Sequence, residues 1–227
     1  MFLCIETSTL NCSVAVFKGE ELLSCVEGSS DAYIHGEKLH VFIQEALNQA
    51  KLSSKDLNAV AVTKGPGSYT GLRIGVSAAK GLAFSLGIPM YSLTSLEVLA
   101  QSPIEVNEGE LILAHVDARR MEIYGAFYSA SRGALTDISA DVVEEDVYSD
   151  IHKGNLVHLI GDAQSKLMDV LPANYKTTPI QFPSAQFMGK AILQKMELGD
   201  AEDVAYFEPF YLKDFVAGKP RKSPLDF

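Results

Sequence analysis

The glycine-rich segment TKGPGSYTGLRIG, residues 63–75, constrains the fold more than any other part of the sequence. It follows the β-branched run NAVAVT and opens into a helical pattern that ends before Gly87. A strand that passes through a glycine-rich loop into a helix is a building unit of α/β proteins. Such loops also attract phosphate, because exposed backbone N–H groups and the helix dipole favour anions.

Two known phosphate loops do not fit this segment. A Walker A loop ends in Gly-Lys-Ser/Thr, whereas Gly71 is followed by Leu72 and Arg73. In the dinucleotide fingerprint G-x-G-x-x-G the third glycine would stand one residue earlier, and no acid follows at about 20 residues. A looser anion site at the helix N terminus is the alternative that remains. Its possible nucleotide or phosphate ligands are Glu6, Thr7, Ser8, Gly65, Gly67 and Asp117.

A stripe of very small residues runs along the predicted helix. Gly71, Gly75, Ala79 and Ala83 recur every four residues and therefore share one face. Interior glycines cost about 1 kcal/mol each relative to alanine, so a compensating contact is expected. The stripe predicts a surface that packs closely against another backbone, within the fold or between chains.

The order of elements predicts a mixed sheet covered by helices. Three strand-like runs precede an amphipathic helix over 35–50, and a strand, the helix over 70–86 and another strand follow. The helix over 35–50 begins with HGEKLH. This order is typical of an α/β protein.

A weak internal repeat indicates that the unit is duplicated. The run LCIE ends in Glu6, and AHVD ends in Asp117 about half a chain later, with the aromatic residues Phe17 and Tyr128 at equal distances beyond them. Self-similarity at a fixed offset is the mark of repeated units. It predicts a first lobe over 1–101, a smaller second lobe over 102–205, and a C-terminal segment over 206–227 that packs back on the first lobe.

The composition excludes several classes of protein. Hydrophobic residues make up 47% of the chain, yet no apolar run approaches the roughly 20 residues of a membrane helix. The N terminus, MFLCIETS, lacks the basic residues that open a signal peptide, so a cytoplasmic protein without membrane contact is expected. Three cysteines, an odd count without C-x-x-C spacing, argue against disulfides and zinc knuckles.

The net charge of −10 bears on nucleic-acid binding. Proteins that hold nucleic acid by themselves usually present a basic face, because phosphate contacts dominate the affinity. Basic residues concentrate only at Arg119–Arg120 and in the tail segment KPRK, 219–222. If nucleic acid is involved, a partner is expected to hold most of it.

The helix over 35–50 carries histidines that invite a metal interpretation. His35 and His40 stand five residues apart, whereas zinc pairs on helices stand four apart. Five residues correspond to about 500° of rotation, which turns the two imidazoles about 140° apart. We predict no metal site, and an interface or surface role for the histidines. No arrangement of a nucleophile with a base stands out.

The motifs ETST…CSVAV, HGEKL, TKGPGSYTGLRIGVSAAKGLA, VDARRMEIY and PFYLKD, in this order, resemble the TsaB family of bacterial tRNA threonylcarbamoyladenosine synthesis over residues 2 to about 216. The resemblance implies an α/β fold of the actin/Hsp70/sugar-kinase (ASKHA) type, two lobes with duplicated mixed β-sheets flanked by helices. It also implies a pseudoenzyme, a non-catalytic paralogue of the catalytic TsaD-type subunit. His40, Val41 and Glu6 stand where the family often has an aliphatic residue, a proline and an aspartate.

The resemblance also implies partners. The helices over 35–50 and 70–86 would dock on the TsaD-type subunit, or on a second copy of the chain when that partner is absent. A TsaE-type ATPase would join through the complex, tRNA would be contacted mainly through the partner, and no catalytic residue, cofactor or metal is implied. The predicted interface residues are His35, Leu39, Phe42, Ala46, Gly71, Leu72, Gly75, Val76, Ala79 and Phe84.

Three functional hypotheses follow. The first is a scaffold that holds the catalytic subunit active while threonylcarbamoyl is transferred to the adenosine next to the anticodon, in tRNAs that read codons starting with adenine. The second is an ATP-binding enzyme of the sugar-kinase type, which would need Glu6 and Asp117 around a magnesium–nucleotide complex. The third is a metallopeptidase, for which the sequence offers no sound histidine pair.

Overall fold

The computed structural model describes residues 1–30, 34–145 and 147–213. Two 3₁₀ turns, Ser54–Asp56 and Ala185–Phe187, accompany the strands and helices. The strands are β1 Phe2–Glu6, β2 Asn11–Lys18, β3 Glu21–Ser29, β4 Ala59–Thr63, β5 Met90–Leu93, β6 Leu111–Asp117, β7 Glu122–Ser129, β8 Ser139–Val142, β9 Val157–Gly161 and β10 Tyr175–Thr177. The helices are α1 His35–Gln49, α2 Tyr69–Leu86, α3 Ser95–Ala100, α4 Ser149–His152, α5 Gln164–Met168 and α6 Gly189–Leu198. The tail segment 219–222 and the end of the predicted segment 206–227 lie outside the described residues.

The strands form two five-stranded sheets of identical topology. The first has the order β3-β2-β1-β4-β5 and the second, from the corresponding edge, β8-β7-β6-β9-β10. Strand β1 runs antiparallel to β2 and parallel to β4, and β6 runs antiparallel to β7 and parallel to β9. Glu6 and Asp117 thus end equivalent central strands. The predicted ASKHA-type α/β fold with duplicated mixed sheets is confirmed.

One face of the first sheet is covered by α1 and α2. Leu3 and Ile5 alternate along β1 with residues of the other face, and they belong to the same buried cluster as Leu39 of α1 and Val76 of α2. Period-two alternation on strands and the 3.6-residue period of helices bring these apolar sides together. The apolar face of each helix therefore packs against the first sheet.

The opposite face of the first sheet is covered by the second 3₁₀ turn and α6. Phe2, Cys4 and Phe17 share a buried cluster with Met188 and Ile192. The helix lies within the range predicted for the second lobe, 102–205, although its contacts are with the first sheet. The two lobe ranges stay a prediction, and α6 packs across the boundary that they set.

Helix α3 lies between the two sheets. Its residues Leu96 and Leu99 pack with Ile112 and Ala114 of β6. Its Val98 belongs to the cluster on the first sheet that α6 covers. A six-residue helix therefore joins the cores of both halves of the chain.

Candidate functional site: the glycine loop and the two-helix face

The glycine loop connects β4 to α2 as predicted. Ser68 caps the helix, since its Oγ accepts a hydrogen bond from the Gly71 N–H at 3.2 Å. At the other end Gly87 adopts the left-handed conformation, φ 65°, that closes many helices. The predicted strand–loop–helix unit is confirmed, and its caps explain the bounds of the helix.

The space beside the loop is filled by the chain itself. A Cβ atom on Gly67 would lie 2.2 Å from the carbonyl oxygen of Ser8, and one on Gly65 would lie 2.7 Å from that of Phe210. The Ser68 N–H also donates to the Ser8 carbonyl at 2.6 Å. These glycines admit two backbone segments of the same chain, the β1–β2 loop and the C-terminal segment.

The glycines of the helix stripe face Thr7. A Cβ atom on Gly71 would lie 2.2 Å from the Thr7 carbonyl oxygen, and one on Gly75 would lie 2.1 Å from the Thr7 hydroxyl oxygen. That hydroxyl donates to the Gly71 carbonyl at 2.9 Å. The stripe is a close-packing surface, as predicted, but it packs within the chain. The expectation that these two glycines let a second chain approach is corrected.

Most of the predicted interface residues are also buried inside the chain. Phe42 is half-buried, and Phe84 alone among them is largely exposed, at 83%. The buried ones are His35, Leu39, Ala46, Gly71, Leu72, Gly75, Val76 and Ala79. An apolar helix face looks alike in sequence whether it meets its own sheet or a partner. In this conformation these eight residues pack inside the chain itself, and their place in a partner interface stays a prediction.

The outward side of the two helices forms an open groove of about 600 Å³. The residues that line the groove include small side chains together with aromatic and basic ones. The residues are Gly36, His40, Tyr69, Thr70, Arg73, Ile74, Ser77 and Ala78. Arg73 lies 4.3 Å from the centre of the Tyr69 ring, and the Tyr211 ring packs on Tyr69 at 5.0 Å. The spacing of Thr70, Arg73 and Ser77 on one side of α2 is the sequence signal for this face.

The two histidines of α1 lie in different environments. His35 is buried, and its Nε2 is 2.8 Å from the carbonyl oxygen of Thr9. Burial lowers its pKa, against the opposing effect of the hydrogen bond to Thr9. His40 is exposed and lines the groove. Within residues 1–30, 34–145 and 147–213, no three His, Cys, Asp or Glu side chains are grouped so that they could hold a metal ion.

The acids that end the two central strands have different surroundings. Glu6 is buried and accepts hydrogen bonds from the N–H and the hydroxyl of Ser8, at 2.5 and 2.6 Å. Burial raises the pKa of Glu6, and hydrogen bonds from Ser8 and Thr63 act in the opposite direction. Asp117 is exposed and accepts from the Arg119 N–H at 2.6 Å and from Lys166 at 2.7 Å.

The predicted phosphate ligands fall into two groups. Thr7 and Ser8 contact the glycine loop and the start of α2, and Glu6 accepts hydrogen bonds from Ser8. Asp117 lies at the end of the second sheet, where its N–H donates to Asp162 at 2.7 Å. Asp162, which also follows a buried strand, has its pKa raised to about 6, chiefly by burial.

Comparison with known proteins places the chain in a family. The family model "TsaD: tRNA N6-adenosine threonylcarbamoyltransferase" matches residues 32–206. A "tRNA threonylcarbamoyladenosine biosynthesis protein TsaB" of Buchnera aphidicola is 31% identical over 192 residues, which cover 82% of this chain and 90% of that protein. The chain belongs to the TsaB family.

Further TsaB relatives agree over nearly the full length. The Escherichia coli TsaB is 29% identical over 231 residues, 96% of each chain. The solved structure "YeaZ from Pseudomonas aeruginosa" superimposes with a TM-score of 0.81 at 23% identity, over 93% of this chain and 99% of that one. The likeness to YeaZ shows that the whole fold, both sheets included, is shared.

The helices in the described part of this TsaB-family chain are short or carry charged residues. None of its helices combines the length and the apolar character that a bilayer crossing requires. The longest, α2, has 18 residues and is interrupted by Arg73 and Lys80.

Proposed function

We propose that this chain is a non-catalytic subunit that binds and activates a catalytic TsaD-type subunit. The complex would transfer threonylcarbamoyl to the adenosine next to the anticodon in tRNAs that read codons starting with adenine. The observation that carries the proposal is the open groove between α1 and α2, on the outward side of the two helices. Family membership supplies the pathway, and the groove supplies a surface for a partner.

The lining of the groove suits the close approach of another chain. Gly36, Ser77 and Ala78 have small side chains or none, so they take up little of the groove, and Ile74 adds apolar surface. The aromatic rings of Tyr69 and Tyr211 already pack on each other. Side chains that are ordered before binding lose less entropy when a partner docks.

A stable interface requires about 1,600 Å² in total, so a partner must cover more than the groove. Exposed apolar residues extend the surface along both helices. Phe84 stands two helical turns beyond Ser77 on the same side of α2 and is 83% exposed. Val41, beside His40 on α1, is 54% exposed. We therefore move the proposed anchors from the buried stripe to Phe84, Val41 and the groove.

The proposal gives the chain no catalytic residue. The space beside Gly65 and Gly67, which a bound phosphate would need, holds the backbones of Ser8 and Phe210. This observation disfavours the sugar-kinase alternative. His35 is hydrogen-bonded to Thr9 inside the core, an arrangement that disfavours the metallopeptidase alternative.

The wider assembly belongs to the same proposal. A TsaE-type ATPase would join through the catalytic subunit, and a second copy of the chain would occupy the same face when that subunit is absent. The net charge of −10 suits a subunit whose partner holds most of the tRNA. Such a complex would work in the cytoplasm, where tRNA is modified.

Ser77→Arg tests the proposal. Ser77 is exposed in the groove, so arginine there leaves the core intact but obstructs docking and places a charge in the interface. Ser149→Arg, at an exposed position of α4 away from α1 and α2, is the matched control. Val76→Glu would be unsuitable, because Val76 is buried and a charge there would unfold the chain.

The measurement is complex formation between the variant and the catalytic subunit, by calorimetry, followed by threonylcarbamoylation of a tRNA transcript. We expect Ser77→Arg to weaken binding at least tenfold, about 1.4 kcal/mol, and the control to bind as the unmodified chain does. Equal binding by both variants would contradict the assignment of the groove. A cell depleted of the chain should lose threonylcarbamoyladenosine but not an unrelated tRNA modification.

A further inference from the structure

The loop between β6 and β7 presents two adjacent arginines in an acidic chain. Arg119 and Arg120 are exposed and both adopt positive φ angles, 70° and 49°. Within residues 1–30, 34–145 and 147–213, neither guanidinium has an ion-pair or hydrogen-bond partner. Two unpaired cations at one tip stand out against a net charge of −10.

Hydrogen bonds to Asp117 and from Lys166 fix the backbone of this loop. The Arg119 N–H donates to Asp117 Oδ1 at 2.6 Å. Lys166 Nζ donates to the same oxygen at 2.7 Å, and to the carbonyl oxygens of Arg120 at 2.9 Å and Glu122 at 2.8 Å. A lysine is thus used to fix the backbone, while the arginines remain outside this network. Left-handed backbone costs roughly 1 kcal/mol for each residue with a side chain, and these hydrogen bonds offset that cost.

The neighbouring acids do not neutralise the tip. Asp117 is paired with Lys166, and Glu122 is paired with Lys213. The carboxylate of Asp162 is engaged by the N–H of Asp117 at 2.7 Å. Among the described residues, no carboxylate pairs with either guanidinium.

We propose that Arg119 and Arg120 contact phosphate groups of the tRNA while the catalytic subunit holds it. This inference rests on the proposed function, because it needs an RNA in the complex. Guanidinium groups match phosphate geometry with paired N–H donors, and backbone contacts of this kind position a nucleic acid without reading its sequence. The acidic remainder of the chain repels a polyanion, so one basic tip supplies a local contact that fixes orientation.

The test variant is the double substitution Arg119→Asn/Arg120→Asn. Asparagine tolerates the left-handed backbone, so the charge is removed while the loop is kept. The control is Lys51→Asn/Lys153→Asn. Both lysines are exposed with positive φ, 57° and 48°, so the control matches the charge change and the backbone region at other places on the surface.

The measurement is fluorescence anisotropy of a labelled, unmodified tRNA transcript with the complex of this chain and its catalytic subunit, between about 50 and 200 mM salt. Each lost phosphate contact lowers the slope of log K against log salt by about 1. We expect the arginine variant to lose about 2 from the steepness of this slope and to bind more weakly, by roughly a hundredfold or more, at the low-salt end. The lysine control should match the unmodified chain.

Each other outcome overturns the inference. An unchanged affinity and slope in an intact complex would mean that the arginines do not touch RNA. A variant that loses the catalytic subunit instead would show that the loop binds an acidic protein surface. If the unmodified chain forms no complex with the catalytic subunit, the proposed function fails. The tRNA titration is then repeated on the isolated chain. If the isolated chain does not bind tRNA, or binds it equally well with and without the two arginines, the inference is overturned.

Discussion

At the scale of single residues, Thr7 explains why α2 carries two glycines. Its carbonyl oxygen occupies the space where a Cβ of Gly71 would lie, and its hydroxyl oxygen occupies that of Gly75. The hydroxyl then donates to the carbonyl of Gly71. One threonine of the β1–β2 loop thus fixes the distance between that loop and the helix, so an added methyl group must push them apart.

We predict that Gly71→Ala destabilises the chain by about 2–3 kcal/mol, the range of overpacking in a close-packed core. Gly75→Ala should cost less, because the Thr7 hydroxyl can rotate away and loses one hydrogen bond, about 1 kcal/mol. Gly81→Ala is the control in the same helix. It has open space around it and should gain up to about 1 kcal/mol from helix propensity. Urea unfolding measures all three, and equal values for Gly71→Ala and Gly81→Ala would contradict the packing argument.

Asp162 links the stability of the second half to pH. Burial raises its pKa to about 6, with the N–H of Asp117 acting in the opposite direction. Below about pH 4 the carboxyl is protonated in both the folded and the unfolded chain. Between pH 4 and 6 the unfolded chain releases the proton while the folded chain keeps it. The free energy of unfolding therefore falls as the pH rises through this window.

We predict that Asp162→Asn removes this pH-dependent fall in the free energy of unfolding, because asparagine does not ionise. Relative to the unmodified chain, the variant should gain about 3 kcal/mol in free energy of unfolding between pH 4 and 7. Its amide oxygen still accepts the hydrogen bond from Asp117. Urea unfolding across this range, with the exposed Asp137→Asn as a control for charge, measures the difference. A constant gap between variant and unmodified chain would show that Asp162 ionises normally.

The small-residue stripe also shows how much of the structure a residue pattern can predict. Glycine or alanine at every fourth residue predicted a close-packing surface, and the contacts of Gly71 and Gly75 with Thr7 confirm it. The partner of the surface was not predictable, because Thr7 and Gly71 are 64 positions apart and meet only in the folded chain. A pattern reports that a contact is needed, whereas the identity of the contact comes from topology.

At the scale of elements, local signals fixed the long helices well. The ranges 35–50 and 70–86 differ by one residue from α1 and α2, because Gly87 and the Ser68 cap mark the ends of α2. Short edge elements were missed. Strands β8 and β10 have four and three residues, too few for alternation to emerge. The groove was missed too, since exposed small and polar residues carry no periodic apolar signal.

The C-terminal segment is an element without regular structure that holds the glycine loop. The Phe210 N–H donates to the Lys64 carbonyl at 2.7 Å, and Tyr211 packs on Tyr69. Phe207 packs against the core of the first sheet, and its carbonyl accepts from Lys80 at 2.8 Å. These contacts support the expectation that the segment packs back on the first lobe, which stays a prediction for 206–227 as a whole.

We predict that a chain ending at residue 206 is less stable than one ending at 213, which retains these contacts. Burial of part of a phenylalanine and two hydrogen bonds together contribute about 3 kcal/mol. For a chain of this size that corresponds to a midpoint about 6–12 °C lower in thermal unfolding. Identical midpoints would mean that the segment rests on the surface without stabilising it.

At the scale of the whole molecule, the two sheets repeat one topology, but the chain does not divide cleanly between them. The repeat was predictable because the central strands β1 and β6 both end in an acid followed by a hairpin. The position of α6 was not, because an amphipathic helix shows that it packs on a sheet but not on which one. Its contacts with the first sheet make the 1–101 segment incomplete by itself.

We predict that a fragment of residues 1–101 does not form a native core. It keeps α1 and α2 on one face, but Met188 and Ile192 no longer cover Phe2 and Phe17 on the other. Exposing three or four such side chains costs about 5–12 kcal/mol, which is comparable to the whole stability of a typical domain.

The fragment should therefore give poorly dispersed amide resonances and bind a hydrophobic dye. Residues 1–101 joined through a Gly/Ser linker to residues 184–213 should give a dispersed spectrum, provided that Leu96 and Leu99, which lose the second sheet, are changed to Gln. The linker restores the 3₁₀ turn, α6 and the C-terminal segment while omitting the second sheet. A control with Met188→Asp and Ile192→Asp in the joined chain should return it to the dye-binding state. A folded spectrum from 1–101 alone would show that α6 is dispensable, and that the range 1–101 is after all a lobe that folds independently.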